Sequence, residues 1–149
     1  MRIWFDMDGT IADLYAVENW LPKLREYDPS PYAEAKPLLN LSSLARILNR
    51  LTKSGYEIGI ISWLSKDPNP EYGEKVTVAK LNWLAKHLPS VKWNEIKIVP
   101  YGTSKSKATK AQRSDVLFDD EERNRLDWEQ AEGKALEPAE IINFLRSIK

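Results

Sequence analysis

Arg2-Ile3-Trp4-Phe5-Asp6-Met7-Asp8-Gly9-Thr10 decides how this chain is read. A short apolar run, Arg2 to Phe5, leads straight into two carboxylates one residue apart, and a Gly-Thr turn follows. A run this short that stops at a turn is a strand, which sets Asp6 and Asp8 at its carboxyl end. Two acids held that close repel each other unless a cation or a proton neutralises them. The stretch is therefore either one wall of a hard-metal site or a strained solvated turn. The groups that the rest of the chain can bring beside it decide which.

Working outward, three more runs share the character of the first. They are Tyr56–Ile61 between Gly55 and Ser62, Glu95–Val99 stopped by Pro100, and Asp115–Phe118 leading into Asp119-Asp120. Nearly unbroken apolar runs suit parallel strands covered on both faces. Gly133–Leu136 offers a fifth, short edge strand. Between the strands lie helical stripes. Leu41, Leu44, Ile47, Leu48 and Leu51 form one, with Gly55 as its C-terminal cap. Val76, Ala79, Trp83, Leu84 and Leu88 form a second, ended by Pro89, and Ile141, Ile142, Leu145 and Ile148 form the last, with Pro138 near its first turn. Alternating strands and helices predict an α/β fold, a doubly wound (Rossmann-like) parallel sheet with helices on both faces. The connection Ile11–Asn40 is too long for a simple crossover. It reads as a small helical cap inserted after the first strand, with a helix around Ala16–Tyr27 and then a proline-rich stretch. The expected organisation is one domain over 1–149, with the core in 1–12 and 41–149 and the cap in about 13–40.

Composition narrows the chemistry. The chain of 149 residues has 22 Lys+Arg against 22 Asp+Glu, so nothing signals general attraction to nucleic acid or a membrane surface. It has no cysteine, which excludes disulfides, thiolate chemistry and cysteine-ligated metal sites, and its one histidine argues against a histidine-based zinc site. No apolar run approaches the about 20 residues of a membrane span. No charged-then-apolar leader is visible either, so the expected location is the cytoplasm.

The strand ends form an inventory: Asp6 and Asp8, then Ser62, then the loop Tyr101–Lys107 with its lysines, then Asp119 and Asp120. In an open parallel sheet these groups converge on one rim. Four acids there would suit Mg²⁺, which takes a few oxygen ligands and keeps its waters. A lysine and a hydroxyl would serve phosphate oxygens.

This constellation resembles the haloacid dehalogenase superfamily in its Mg²⁺-dependent phosphatase branch. Asp6-x-Asp8-Gly9-Thr10 matches the first motif, Ser62 the second, a lone lysine (Lys105, with Lys107 next) the third, and Asp119-Asp120 the fourth. A closer similarity is to the 5′-nucleotidase branch that includes the 5′(3′)-deoxyribonucleotidases, whose fourth motif also ends in paired aspartates. The chain is short for those enzymes and its insertion is much reduced. The resemblance implies that Asp6 attacks the phosphoryl group to form an aspartyl-phosphate, while Asp8 moves protons. It further implies that Ser62 and the backbone N–H groups around Met7 and Asp8 hold phosphate oxygens, and that Lys105 pairs with nucleophile and phosphate. Mg²⁺ would be held by Asp6, the Asp8 carbonyl and one of Asp119 or Asp120, a choice that stays open.

The implied function is phosphomonoester hydrolysis on a small phosphorylated substrate, with nucleotides the first expectation. The alternatives are a phosphotransferase or phosphomutase using the same intermediate, or a non-enzymatic phosphate-binding module. A response-regulator-like receiver is set aside, because the third run ends in Val99-Pro100-Tyr101 with no acid to phosphorylate. Trp63 and Tyr15 each follow a motif and are the aromatics placed to stack on a base or sugar, whereas His87 reads as a helix-end residue.

Overall fold

The computed structural model describes residues 1–149. Strand β1 (Arg2–Phe5) is the centre of a five-stranded parallel sheet with β4 (Glu57–Trp63), β5 (Glu95–Val99), β6 (Val116–Phe118) and β7 (Lys134–Leu136) in the order β5-β4-β1-β6-β7. The chain winds outward from β1 to β5, then crosses back to β6 on the other side. Winding reverses beside β1, which is where a parallel sheet opens a crevice at its carboxyl ends.

Side-chain alternation along the strands builds two cores. Ile3 and Phe5 of β1, Ile58 and Ile60 of β4 and Val116 and Phe118 of β6 face one side. There they meet α3 (Leu41–Lys53), the end of α4 (Pro70–His87) and α7 (Ile141–Ser147). Trp4, Ile61 and Leu117 face the other side, beneath Trp128 of α6 (Glu122–Gln130) and Ala108 of α5 (Lys105–Thr109). Gly59 lets the second core close, because a Cβ there would collide with the Trp4 indole. The opposite end of the sheet is tied by Arg2, whose guanidinium grips the buried Asp115 carboxylate at 2.6 and 3.0 Å and donates to the carbonyls of Thr109 and Lys110.

The helix ends follow local chemistry. Asn40 and Asn69 cap α3 and α4 by accepting from the amides of Ser43 and Tyr72. At the end of α3 the amides of Gly55 and Tyr56 close onto the carbonyls of Thr52 and Leu51, the two bonds of a Schellman motif. Pro138 belongs to a separate 3-10 turn, Pro138–Glu140, rather than to the first turn of α7.

Two expectations need correction. Edge strand β5 is not covered on both faces: Glu95 and Ile96 are exposed, and Lys97 breaks its apolar run. The helix expected over Ala16–Tyr27 is only α1 (Trp20–Arg25), because extended Val17 and left-handed Asn19 precede it and left-handed Tyr27 follows. The rest of Ile11–Asn40 is a 3-10 turn at Leu14–Ala16, helix α2 (Ser30–Glu34), and a two-residue antiparallel pairing of β2 (Ala12–Asp13) with β3 (Lys36–Pro37). Leu14 and Tyr32 anchor it on Tyr72, Val76 and Ala79 of α4. No helix is long and apolar enough to cross a membrane.

Candidate active site

Beyond Phe5 the chain turns away from the sheet. The amides of Thr10, Ile11 and Ala12 all donate to the Met7 carbonyl, so residues 7–12 form a tight loop. Gly9 sits in it at φ +80, and a Cβ there would collide with the Asp120 carboxylate. The amides of Met7 and Asp8 donate to no other group of the chain. They stand free at the strand end, as an anion site requires.

Lys105 organises the acids. Its side chain is 1% exposed, and Nζ donates to Asp6 Oδ1 at 2.8 Å and to Asp119 Oδ2 at 2.7 Å. Burial pulls this ammonium group's pKa down, but the Asp6 and Asp119 carboxylates outweigh it and hold the pKa above its ordinary value. Helix α5 presents it: Ser104 caps the helix, and Asp127 of α6 accepts from Ser104 Oγ and from the Ser106 amide. Lys107, the alternative lysine, lies exposed on the same short helix, away from the cluster.

The two terminal acids play different parts. Asp119 is fully buried, and both its oxygens are engaged, by Lys105 and by the Glu121 amide. Asp120 is half-buried and receives only a long contact, 3.4 Å, from the Thr10 hydroxyl, which also donates to Asp6 Oδ2 at 3.0 Å. Asp6, Asp119 and Asp120 offer one oxygen each within 4.8 Å of one another. Burial and the nearby Asp6 charge push Asp119 up to about 6 and Asp120 up to about 8. Such crowding marks a place for a cation. The four acids face two buried ammonium groups, leaving two formal negative charges, which a divalent cation would balance.

The second ammonium is Lys80, which the reading of motifs did not single out. It lies on the buried stripe of α4, 1% exposed, and donates to Asp8 Oδ2, Ser62 Oγ and the Trp63 carbonyl. A lysine four residues after Val76 and three before Trp83, on an otherwise apolar stripe, was the available signal. Ser62 lies inside β4 rather than after it and is fully buried under Lys80. Asp8 is raised above the ordinary carboxylate range, mainly by burial, with Lys80 pulling it back and Asp6 adding to the rise.

A cleft of about 330 Å³ opens over Asp6, Asp8, Lys105, Asp119 and Asp120. Its upper walls are Tyr15, Trp20, Leu24 and Tyr32 from the 11–40 connection, facing Trp63 and Tyr101. Trp63 packs on Tyr101 at 4.9 Å, and the Arg123 guanidinium lies 4.6 Å over its ring.

Sheet order and strand-end acids together define a class, the doubly wound, Rossmann-like parallel α/β fold with its acids gathered on one rim. Two solved structures share it in particular. One is D,D-heptose 1,7-bisphosphate phosphatase from Burkholderia thailandensis, at TM-score 0.55 and 14% identity over 89% of this chain and 74% of that one. The other is D,D-heptose 1,7-bisphosphate phosphatase from B. bronchiseptica, complexed with magnesium and phosphate, at TM-score 0.56 and 13% identity over 90% of this chain and 78% of that one. At these identities the likeness is one of fold. No protein-family model matches the chain, and no curated protein sequence does.

Proposed function

We propose that this protein is a Mg²⁺-dependent phosphomonoesterase that works through an aspartyl-phosphate on Asp6. The observation that carries the reading is Lys105 bridging Asp6 and Asp119 beneath a cluster of three carboxylates, at the end of the central strand. The magnesium and phosphate held by one of the fold neighbours support it.

Asp6 would attack phosphorus while the ester oxygen leaves with its bonding electrons and takes the proton carried by Asp8. Water would then attack the acyl-phosphate, giving its proton back to Asp8 and freeing Asp6 and inorganic phosphate. The free amides of Met7 and Asp8, with Ser62 and Lys105, would hold the non-bridging oxygens. Mg²⁺ would be held by Asp6, the Asp8 carbonyl and Asp120, and when bound would offset charge on the transferred group. Asp120 is favoured over Asp119 because the Asp119 oxygens are already engaged, which assigns Asp119 to holding Lys105.

The preferred substrate class is nucleoside monophosphates. A base needs apolar faces above the phosphate site, and the aromatic walls from Tyr15, Trp20, Trp63 and Tyr101 supply them. The 13–40 segment acts as the cap that carries half of that wall. The test is hydrolysis of p-nitrophenyl phosphate with Mg²⁺ by wild type and Asp6→Asn, followed by a panel of nucleoside and sugar monophosphates. Activity lost in Asp6→Asn and in EDTA, with the highest kcat/KM on nucleotides, is expected. Equal rates in wild type and Asp6→Asn would overturn the reaction, and a preference for sugar phosphates would overturn the substrate class.

A further inference from the structure

Lys80 is the buried charged group beside the cleft that the reaction above leaves unused. It sits midway along α4 and is 1% exposed. Its Nζ lies 2.8 Å from Asp8 Oδ2, 2.7 Å from Ser62 Oγ and 2.6 Å from the Trp63 carbonyl. These three bonds use all three ammonium protons. The ring of Tyr32, at 5.0 Å, covers the group from the side of the cap segment. Removing a lysine from water costs several kcal/mol unless its charge is met. Here the carboxylate in contact is that of Asp8. Leucine at this position would satisfy the apolar stripe of α4, so packing does not account for the ammonium group.

Its acceptors do. Holding Asp8 by Oδ2 leaves Oδ1 without a partner in the chain, and that is the oxygen free to exchange a proton over the cleft. Ser62 Oγ and the Trp63 carbonyl, both on β4, accept the other two ammonium protons and so fix Lys80 in place against Asp8. Lys80 does not line the cleft wall whereas Asp8 does, so substrate meets the carboxylate that Lys80 holds and not the ammonium itself.

We propose that Lys80 is a positioning residue: anchored on Ser62 and the Trp63 carbonyl of β4, it locks the Asp8 carboxylate into one arrangement for proton transfer. The inference rests on the proposed phosphatase reaction. In that reaction the P–O ester bond breaks and the departing oxygen takes the Asp8 proton, a transfer that alkoxide leaving groups need and p-nitrophenolate does not.

The experiment compares wild type with Lys80→Met on β-glycerophosphate and on p-nitrophenyl phosphate, reading kcat/KM, which reports the step in which the ester bond breaks. Mispositioning of a proton carrier is expected to cost about 10²-fold on the alkyl ester, with a fall of less than about threefold on the aryl ester. In the Asp8→Asn background Lys80→Met should add no further loss on the alkyl ester. Equal falls on both esters, no fall on either, or an additive loss in the double variant would overturn the inference. Lys80→Gln, which keeps one donor, repeats the comparison if the methionine variant does not fold. Activity in wild type that survives Asp6→Asn would instead overturn the proposed reaction, so the two failures are distinguishable.

Discussion

Two carboxylates share the Lys105 ammonium, and the balance of the site depends on that sharing. Lys105→Met keeps the volume but leaves Asp6 and Asp119 facing each other without a cation. Breaking a buried pair from one side costs about 3–5 kcal/mol, so thermal unfolding in EDTA should shift clearly downward. Mg²⁺ should recover part of that shift, since a ligand of the folded state stabilises it by mass action. No change in the unfolding temperature on Lys105→Met would contradict the arrangement. On the cleft wall, Tyr15 is 47% exposed and packs edge-on against Trp20 at 5.0 Å, so truncating it costs the fold little. Tyr15→Ala should raise KM for a nucleoside monophosphate roughly tenfold, in line with stacking worth about 1–3 kcal/mol per base, and leave β-glycerophosphate unaffected. Equal changes on both substrates would count against a stacked base.

At the scale of elements, α5 shows how a five-residue helix can be held firmly enough to aim a buried lysine at two carboxylates. The Asp127 carboxylate accepts from Ser104 Oγ at 2.8 Å and the Ser106 amide at 3.0 Å, and these bonds hold its own pKa low despite burial. Asp127→Asn brings an amide nitrogen against one of these donors, at a cost of about 1–3 kcal/mol for a group left unpaired. Turnover should fall while the metal affinity, measured calorimetrically, stays within about twofold, because the acids proposed to bind the ion lie on other elements. This helix was not legible in the sequence: Ser104–Lys110 reads as a polar tract, and its helical state depends on α6 being in place. The stripes of α3 and α4 were legible, because their apolar spacing matches the helical period and their caps are local. The helix expected over Ala16–Tyr27 shrank to α1, which buries no residue and is bounded by left-handed residues that no periodicity reveals.

For the molecule as a whole, strand runs and the carboxylates after them were enough to foresee a doubly wound sheet with acids on one rim. The choice between Asp119 and Asp120 was beyond reach, because it turns on a backbone amide, that of Glu121, reaching back to Asp119. Lys80 was missed because a lysine on a helix is ordinarily solvated. The crowded rim has a consequence for pH. In the metal-free fold Asp119 and Asp120 are raised from 3.8 to about 6 and about 8, so the folded chain keeps protons that the unfolded chain has released. Stability therefore falls as pH rises between about 4 and about 8 in EDTA, and saturating Mg²⁺ should flatten or reverse that slope. Unfolding temperatures that rise with pH over this window in EDTA would contradict it. At the far end of the sheet, Arg2→Ala should cost about 3 kcal/mol by stranding buried Asp115, with kcat and KM unchanged at temperatures where the variant stays folded.

The central claim is that Asp6 carries the phosphoryl group. It is tested most directly by quenching the protein during incubation with a phosphomonoester and Mg²⁺, reducing with borohydride and mapping the peptides by mass spectrometry. An acyl-phosphate on Asp6 predicts conversion of residue 6 to homoserine, dependent on substrate and absent in Asp6→Asn. Turnover with residue 6 unmodified, or with the modification at another acid, would contradict it.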